Sequence, residues 1–518
     1  CDLDESPIFL DSNIYTDPNT AAAARDGAYE ALTNYNAQER RFFVVNGFSG
    51  LFGTGKNGNN VNNVNNANLY SLKPTLDADS AFLWQGLYSA IARSNAIIAF
   101  VTTNDNDTLD PINDVAGHAY FIRAWSYFNL VRLWGDIPLW LELPSSDNLN
   151  KAKSTQAEVY AQIVSDAKMA QSLMNGDSGK GYPKQHAASM LLAKLYMAMA
   201  TNATIADPSI SNYWQEAYNE AKKVYGQYTL VSDFGSLFST DGENSTESIF
   251  ELQISEAAAN SQMGRNYTPF KYKMGMHFGW FSVLATFYDY HVATYPGDNR
   301  IAGTYLSSWN RADNGNPVEV WPVRQNRNNF RNAHPYFYKF VEKDTSHNQQ
   351  YNSQNILIYR YADLLLMLAE ISNELQNGEE MTYLNEVLSR AGVTARAEYS
   401  QGQASFRDAI MDEYKFELLG EGQDAHNNRR RGFQYFLKNT IKPNNDKIGT
   451  AHYVANRDLI LSEEEGKVMF LPFPTDEINT NEASWRMAET LNTCMEINMF
   501  CKTNECMKER QYYSTKVL

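Results

Sequence analysis

Paired carboxylates are the first groups that could act as general acid and base, and the chain offers Glu379 with Glu380 and the run Glu463 to Glu465. Both sets fall at helix starts or in polar turns, so they read as solvated faces. Eight histidines occur, none in metal-ligand spacing. There is no H-E-x-x-H motif and no G-x-S-x-G nucleophile elbow. GLFGTGKNGNN, Gly50 to Asn60, resembles a phosphate-cradling loop only superficially, because it lacks the G-K-[ST] ending and a helix pattern after it. Asp and Asn oxygens in such loops could hold a structural calcium ion, yet no ordered ligand spacing singles one out, and no cofactor is expected. Binding chemistry remains. Eight of the twelve residues from Asn57 to Asn68 are asparagine, which tolerates left-handed backbone and offers both donor and acceptor. That segment reads either as a surface loop able to contact hydroxyls or as a solvated connector. From about Ser255 to Gln354 the chain is rich in Asn, Gly, Tyr and Trp with weak periodicity, and so long an irregular stretch is usually functional.

Helices must position these loops. Residues 2 to 20 are polar and acidic, which suits a tether leading to a first helix capped near Thr20. Phe82, Gly86, Leu87, Ala90, Ile91 and Ile97 recur at helical spacing. Gly117, Phe121, Ala124, Phe128 and Val131 form an apolar face from Asp114 to Trp134, with Arg123 and Arg132 looking elsewhere, before Gly135 and Pro138 stop the helix. Further helices are expected over 155–174, 185–202, 213–226, 359–375, 380–391 and 404–419. Small residues at contact positions predict antiparallel pairs of the tetratricopeptide kind, without a clean 34-residue period.

The chain has 518 residues, 43% hydrophobic and 20% charged, enough to bury a large core. Sixty acidic against 44 basic residues give a formal charge of −16, which repels nucleic acid and anionic lipid. No apolar run of membrane-spanning length exists; the longest candidate, Ile356 to Leu368, is broken by Arg360 and Asp363. The four cysteines are Cys1, Cys494, Cys501 and Cys506. Cys1, with no apolar signal segment before it, is expected to be the acylated cysteine of a processed lipoprotein. Membrane attachment would then be covalent.

GHAYFIRAWSYFNLVRLWGDIPL, Gly117 to Leu139, closely resembles the central helix of SusD-like (SusD/RagB) proteins, with Arg123, Ala124, Tyr127, Gly135, Asp136 and Pro138 at the family's positions. FLWQGLYSAIARSNAII from Phe82, YNEAKKVYGQYTLVSDFGSLF from Tyr218, ESIFELQ from Glu247, RYADLLLMLAEISNEL from Arg360 and FLPFPTDEINTN from Phe470 follow in the family's order. The acidic residues of CDLDES resemble the surface-export signal of Bacteroidetes lipoproteins. Two departures stand out: Tyr414 and Asp424 replace usual arginines, which puts the local ion pairing in doubt, and residues 482–518 form an atypical cysteine-containing tail.

The resemblance implies a mostly α fold of tetratricopeptide-like helix pairs with a long loop-rich ligand-binding region. It implies a lipidated tether over 1–12 and one globular domain over 13–481. That domain comprises a helical part (13–254), a loop-rich part (255–354) and a C-terminal helical part (355–481). The implied protein captures oligo- or polysaccharide on the extracellular face of the outer membrane, performs no catalysis, and delivers the sugar to a SusC-like TonB-dependent transporter. A RagB-like peptide binder and a glycoside hydrolase are the alternatives; the latter needs two carboxyls about 5 Å or 6.5 to 9.5 Å apart across an aromatic cleft.

Sugars present C–H faces that stack on aromatic rings and hydroxyls that need polar partners. Trp84, Trp125, Trp134, Trp140 and Trp214 belong to helical or helix-stopping motifs and read as core, and Trp485 lies in the tail. Trp280, Trp309 and Trp321 stand in the irregular region beside polar or glycine-rich neighbours, and are the expected platform. Tyr305, Asn310, Arg324, Asn65 and Tyr70 are weaker companions. A neutral glycan is favoured because the region is no basic cluster, although Arg300, Arg311, Arg324, Arg327 and Arg331 argue the other way.

Overall fold

The computed structural model describes residues 15–481 except 16, 55–67, 77–78, 102, 104–109, 144–149, 177, 259–260, 326–331 and 456. Cys1, Asn65, Arg327, Arg331 and the 482–518 tail therefore lie outside the described residues. Helices Pro18–Thr33, Tyr35–Gly47, Ser80–Phe100, Pro111–Trp134, Gln156–Leu173, Gln185–Thr201 and Tyr213–Val224 make up the first half. Tyr361–Leu375, Glu380–Ala391 and Gln403–Leu418 return after the irregular region. The fold is thus mostly helical, as the apolar spacing requires.

Local chemistry sets the helix ends. The first helix starts earlier than expected: Asp17, not Thr20, is its N-cap, accepting a hydrogen bond from the Thr20 N–H, with Pro18 in the first turn. Thr155 and Glu158 form a reciprocal capping box on the Gln156–Leu173 helix. Gly117 is small by necessity, since a Cβ there would lie 2.7 Å from the Met174 backbone nitrogen. Arg123 corrects the expectation that it looks away from the core. It is buried, donating twice to Asp166 at 2.8 Å and once to Asn95 Oδ1 at 2.8 Å, and so ties three helices together.

The irregular region is an excursion closed at its base. Ser248–Leu252 pairs antiparallel with Ile356–Arg360, so the chain leaves and re-enters the helical scaffold at one place. Above this clamp a four-stranded sheet runs in the order Phe52–Thr54, Phe281–Val283, Tyr336–Phe337, Tyr305–Leu306. Ser308–Asn310 forms a separate hairpin with Pro317–Glu319.

Beneath the excursion lies a buried charged network. Arg360 reaches Glu417 at 2.6 Å, Glu421 at 2.7 Å and Glu247 at 2.8 Å. Arg300 meets Asp298 and Glu413, each at 2.6 Å, and Lys339 meets Glu421 at 2.6 Å. The ion pairing that the substitutions at 414 and 424 put in doubt is therefore present, carried by arginines from other segments. Tyr414 is buried, and Asp424 accepts the Gly420 N–H at 2.7 Å.

Candidate functional site

The approach to a short strand builds the first part of the site. In MHFGWFSV, Phe281, Ser282 and Val283 form a fully buried strand, while Phe278 and Trp280, on either side of Gly279 just before it, are half-buried. Their rings stack with centroids 4.9 Å apart and planes 4° off parallel. The Arg265 guanidinium lies over the same Phe278 ring, 4.6 Å from its centroid. Phe278 thus serves as support for Trp280. Phe43 meets Trp280 edge-on at 5.6 Å. Exposed Met274 and Met276 flank the stack, and Arg265 contacts Met276 Sδ at 2.9 Å.

The second part is the 308–319 hairpin, where Trp309 is half-buried between exposed Ser308 and Asn310. Its ring packs edge-on against Tyr336 at 5.6 Å and faces Tyr272 at 6.4 Å. Tyr336 also links the two tryptophan sites, because a Cβ on Gly279 would lie 2.9 Å from its ring; Gly279 has φ +54°, a further reason for glycine. The hairpin is moored where the Ala312 N–H donates to the Lys271 carbonyl at 3.0 Å. Arg311 clasps Asp313 at 2.9 and 2.8 Å, and with Lys271 holds that exposed carboxyl down at about 2. An acid so readily ionised makes a poor general acid near neutrality.

Thr54 pairs with Phe281, and Tyr70 packs against Phe281 at 6.0 Å. The asparagine-rich segment itself, over 55–67, lies outside the described residues.

Three expected companions are corrected. Trp321 is buried, 3% exposed, because its indole N–H donates to Asp289 Oδ1 at 2.8 Å and its ring packs beside His452 and Tyr453. Tyr305 is buried against Tyr288, with its hydroxyl 2.9 Å from His291 Nδ1. Tyr70 is buried too, and burial pushes its phenol well up. None of the three presents a ring to solvent. Arg324 is exposed, following the Trp321 turn. Arg300 is fully buried in the charged network. Trp84, Trp125 and Trp134 are buried as expected, whereas Trp140 and Trp214 are half-buried. Phe278, Met274, Met276 and Arg265 were missed. Among the described residues no group of three or more His, Cys, Asp or Glu is placed to hold a metal ion, and no helix is long and apolar enough to cross a membrane.

A family model described as "SusD family" matches residues 146–487, and one described as "Starch-binding associating with outer membrane" matches 26–197. SusD-like protein P2 of Formosa agariphila is 25% identical over 495 residues, covering 89% of this chain and 92% of that one. The crystal structure of a SusD homolog from Bacteroides thetaiotaomicron superposes with a TM-score of 0.73 at 19% identity, covering 91% of this chain and 98% of the other. A solved laminarin-binding SusD-like protein superposes at 0.68 with 18% identity, covering 89% and 97%. With a family model matching well over half its length, and with a helical scaffold shared with solved members, the chain belongs to the SusD family.

Proposed function

We propose that this protein captures a neutral glycan on the face carrying Trp280 and Trp309, and delivers it to a SusC-like TonB-dependent transporter in the outer membrane without acting on it chemically. The observation that carries the reading is the pair of half-buried tryptophans, each braced by other aromatic rings and linked through Tyr336. Braced rings lose little entropy when a pyranose face stacks on them. Exposed Asn310 offers a donor and an acceptor beside Trp309. Of the arginines that argued for an anionic sugar, Arg300 is consumed by buried carboxylates and Arg311 by Asp313. The family description and the laminarin-binding relative support a saccharide ligand, and the former supports the outer-membrane setting.

Affinity electrophoresis against a polysaccharide panel, with calorimetry against oligopeptides as the contrast, tests the ligand class. Retardation by at least one neutral glycan, with no heat from peptides, is expected. Peptide binding alone would replace this reading with the RagB-like one. Release of reducing ends by the pure protein would overturn the claim that it does no chemistry. For the transporter, co-purification from native membranes under gentle detergent is expected, with an interface well above about 1,000 Å².

A further inference from the structure

A cavity of about 320 Å³ opens among the Pro111–Trp134, Gln156–Leu173, Gln185–Thr201 and Tyr361–Leu375 helices, and shares no lining residue with the aromatic face. Its volume lies within the range of small-molecule sites. Its polar wall carries Arg132, Lys194, His426, Arg429, Arg430 and Arg431, and no Asp or Glu is among the described residues that line it. In a chain of net charge −16 such one-signed lining is a local arrangement rather than a reflection of composition.

Some of these cations are answered from outside the wall. Lys194 pairs with Asp363 at 2.7 Å, and Arg430 and Arg431 both pair with Glu370. Others form no ion pair among the described residues, although Asp363, the partner of Lys194, also favours the charged Arg132 from beyond contact. Arg132 donates only to the Phe128 carbonyl at 2.9 Å and Asn129 Oδ1 at 3.4 Å. Buried Arg429 donates to the carbonyls of Val468, Ala425 and Phe48. Buried His426 has no hydrogen-bond partner at Nε2. Near it stands buried Arg41, whose Nε and Nη2 have no acceptor. Burial, then Arg132, Arg429 and Arg41, hold the His426 imidazole far below its ordinary value, so the ring is neutral and the charge beside it belongs to the arginines. A buried charge with no counter-charge costs several kcal/mol. Apolar side chains also line the cavity, Ile205, Met367 and Phe470 among them, and the Phe128 ring is covered by the Arg132 guanidinium at 3.7 Å.

We propose that this cavity is a second binding site, for a small organic oxyanion whose charged head meets Arg132 and Arg429 and whose apolar body lies against Ile205, Met367 and Phe470. Guanidinium suits a planar oxyanion through paired N–H donors, and the head supplies a counter-charge in direct contact. The site stands independently of the glycan reading.

Calorimetry and thermal melts of the full chain with 4-phenylbutyrate, acetate and 4-phenylbutan-1-ol separate the contributions on the unaltered protein. The acid with the apolar body is expected to bind and raise the melting temperature, acetate to bind at least about tenfold more weakly, and the alcohol not to bind at all. Arg132→Gln, checked for folding by its own melt, should weaken the acid at least about tenfold. Trp280→Ala should leave acid binding unchanged. No binding of the acid up to about 10 mM, an alcohol that binds as tightly as the acid, or an Arg132→Gln protein that folds and binds like the unaltered one would each overturn the proposal.

Discussion

The charged network beneath the excursion and the aromatic face upon it use strong side chains in opposite ways. In the network, Arg300 and Arg360 are fully buried and each reaches carboxylates from separate segments, Glu417 answering both. Such a cluster has a single arrangement, because moving any member strands a charge. On the face, Trp280 and Trp309 are held by ring contacts and keep part of their surface in water. Contacts of that kind hold a ring in place without using all of its surface, and the remainder is available to a ligand. Rigidity in this protein thus comes from charge placed under the loops, and the proposed recognition from aromatic area placed on them.

The largest effect should come from breaking the network. Arg360→Met removes the cation shared by Glu247, Glu417 and Glu421 and leaves three buried carboxylates short of a partner. About 3–5 kcal/mol of stability should be lost, read as a fall in the urea midpoint. Glycan affinity should fall only where the protein unfolds. A loss under about 1 kcal/mol would mean that the network does not set the rigidity of the excursion.

A second test uses pH. Burial pushes Asp424 up to about 7, with Lys339 and Lys415 opposing the shift and Glu421 adding to it. Because the folded value lies above the unfolded one, Asp424 favours the folded state fully below about pH 4, and that contribution is lost as pH rises toward 7. Asp424→Asn imitates the protonated acid and can still accept the Gly420 N–H. The two proteins should match near pH 4, and the variant should gain at up to about 1.4 kcal/mol per pH unit before levelling above 7. Parallel stability curves from pH 4 to 8 would show that Asp424 is ionised throughout.

On the face itself, Trp280→Ala should weaken glycan binding by about 2 kcal/mol, roughly thirtyfold, while the melting temperature moves little. Trp309→Ala should behave alike. Unchanged affinity in both would place the platform elsewhere on the protein.

The scaffold was largely legible in the sequence because its signal is local. Spacing such as Gly117, Phe121, Ala124, Phe128 specifies a buried helix without reference to anything distant, and Tyr361–Leu375 could be read the same way. The site was legible only in part. Trp280 and Trp309 lie where loop composition pointed, yet polar neighbours misled at Trp321 and Tyr305, whose partners Asp289 and His291 sit on the Ala285–Thr294 helix. A polar-flanked aromatic can be buried whenever a distant group satisfies its N–H or O–H, and spacing along the chain does not reveal that group. The cavity around Arg132 was illegible for the same reason, since its wall is assembled from many separated segments.

The smallest expected effect is also the one that separates the two roles within a single residue type. Trp321→Phe keeps a ring in the pocket beside His452 and Tyr453 but removes the N–H donated to Asp289. Asp289 retains its hydrogen bond from the Tyr453 hydroxyl, so the carboxylate is not stranded. The loss should therefore be about 1–2 kcal/mol of stability, the scale of one hydrogen bond to a charged group plus slightly poorer filling. Glycan affinity should stay at the level of the unaltered protein, because a ring 3% exposed has no face to give a sugar. Thermal melts and affinity electrophoresis on the same preparation decide the matter. A variant that melts normally but binds glycan roughly thirtyfold more weakly would restore Trp321 to the platform and remove the distinction drawn between buried support and exposed face.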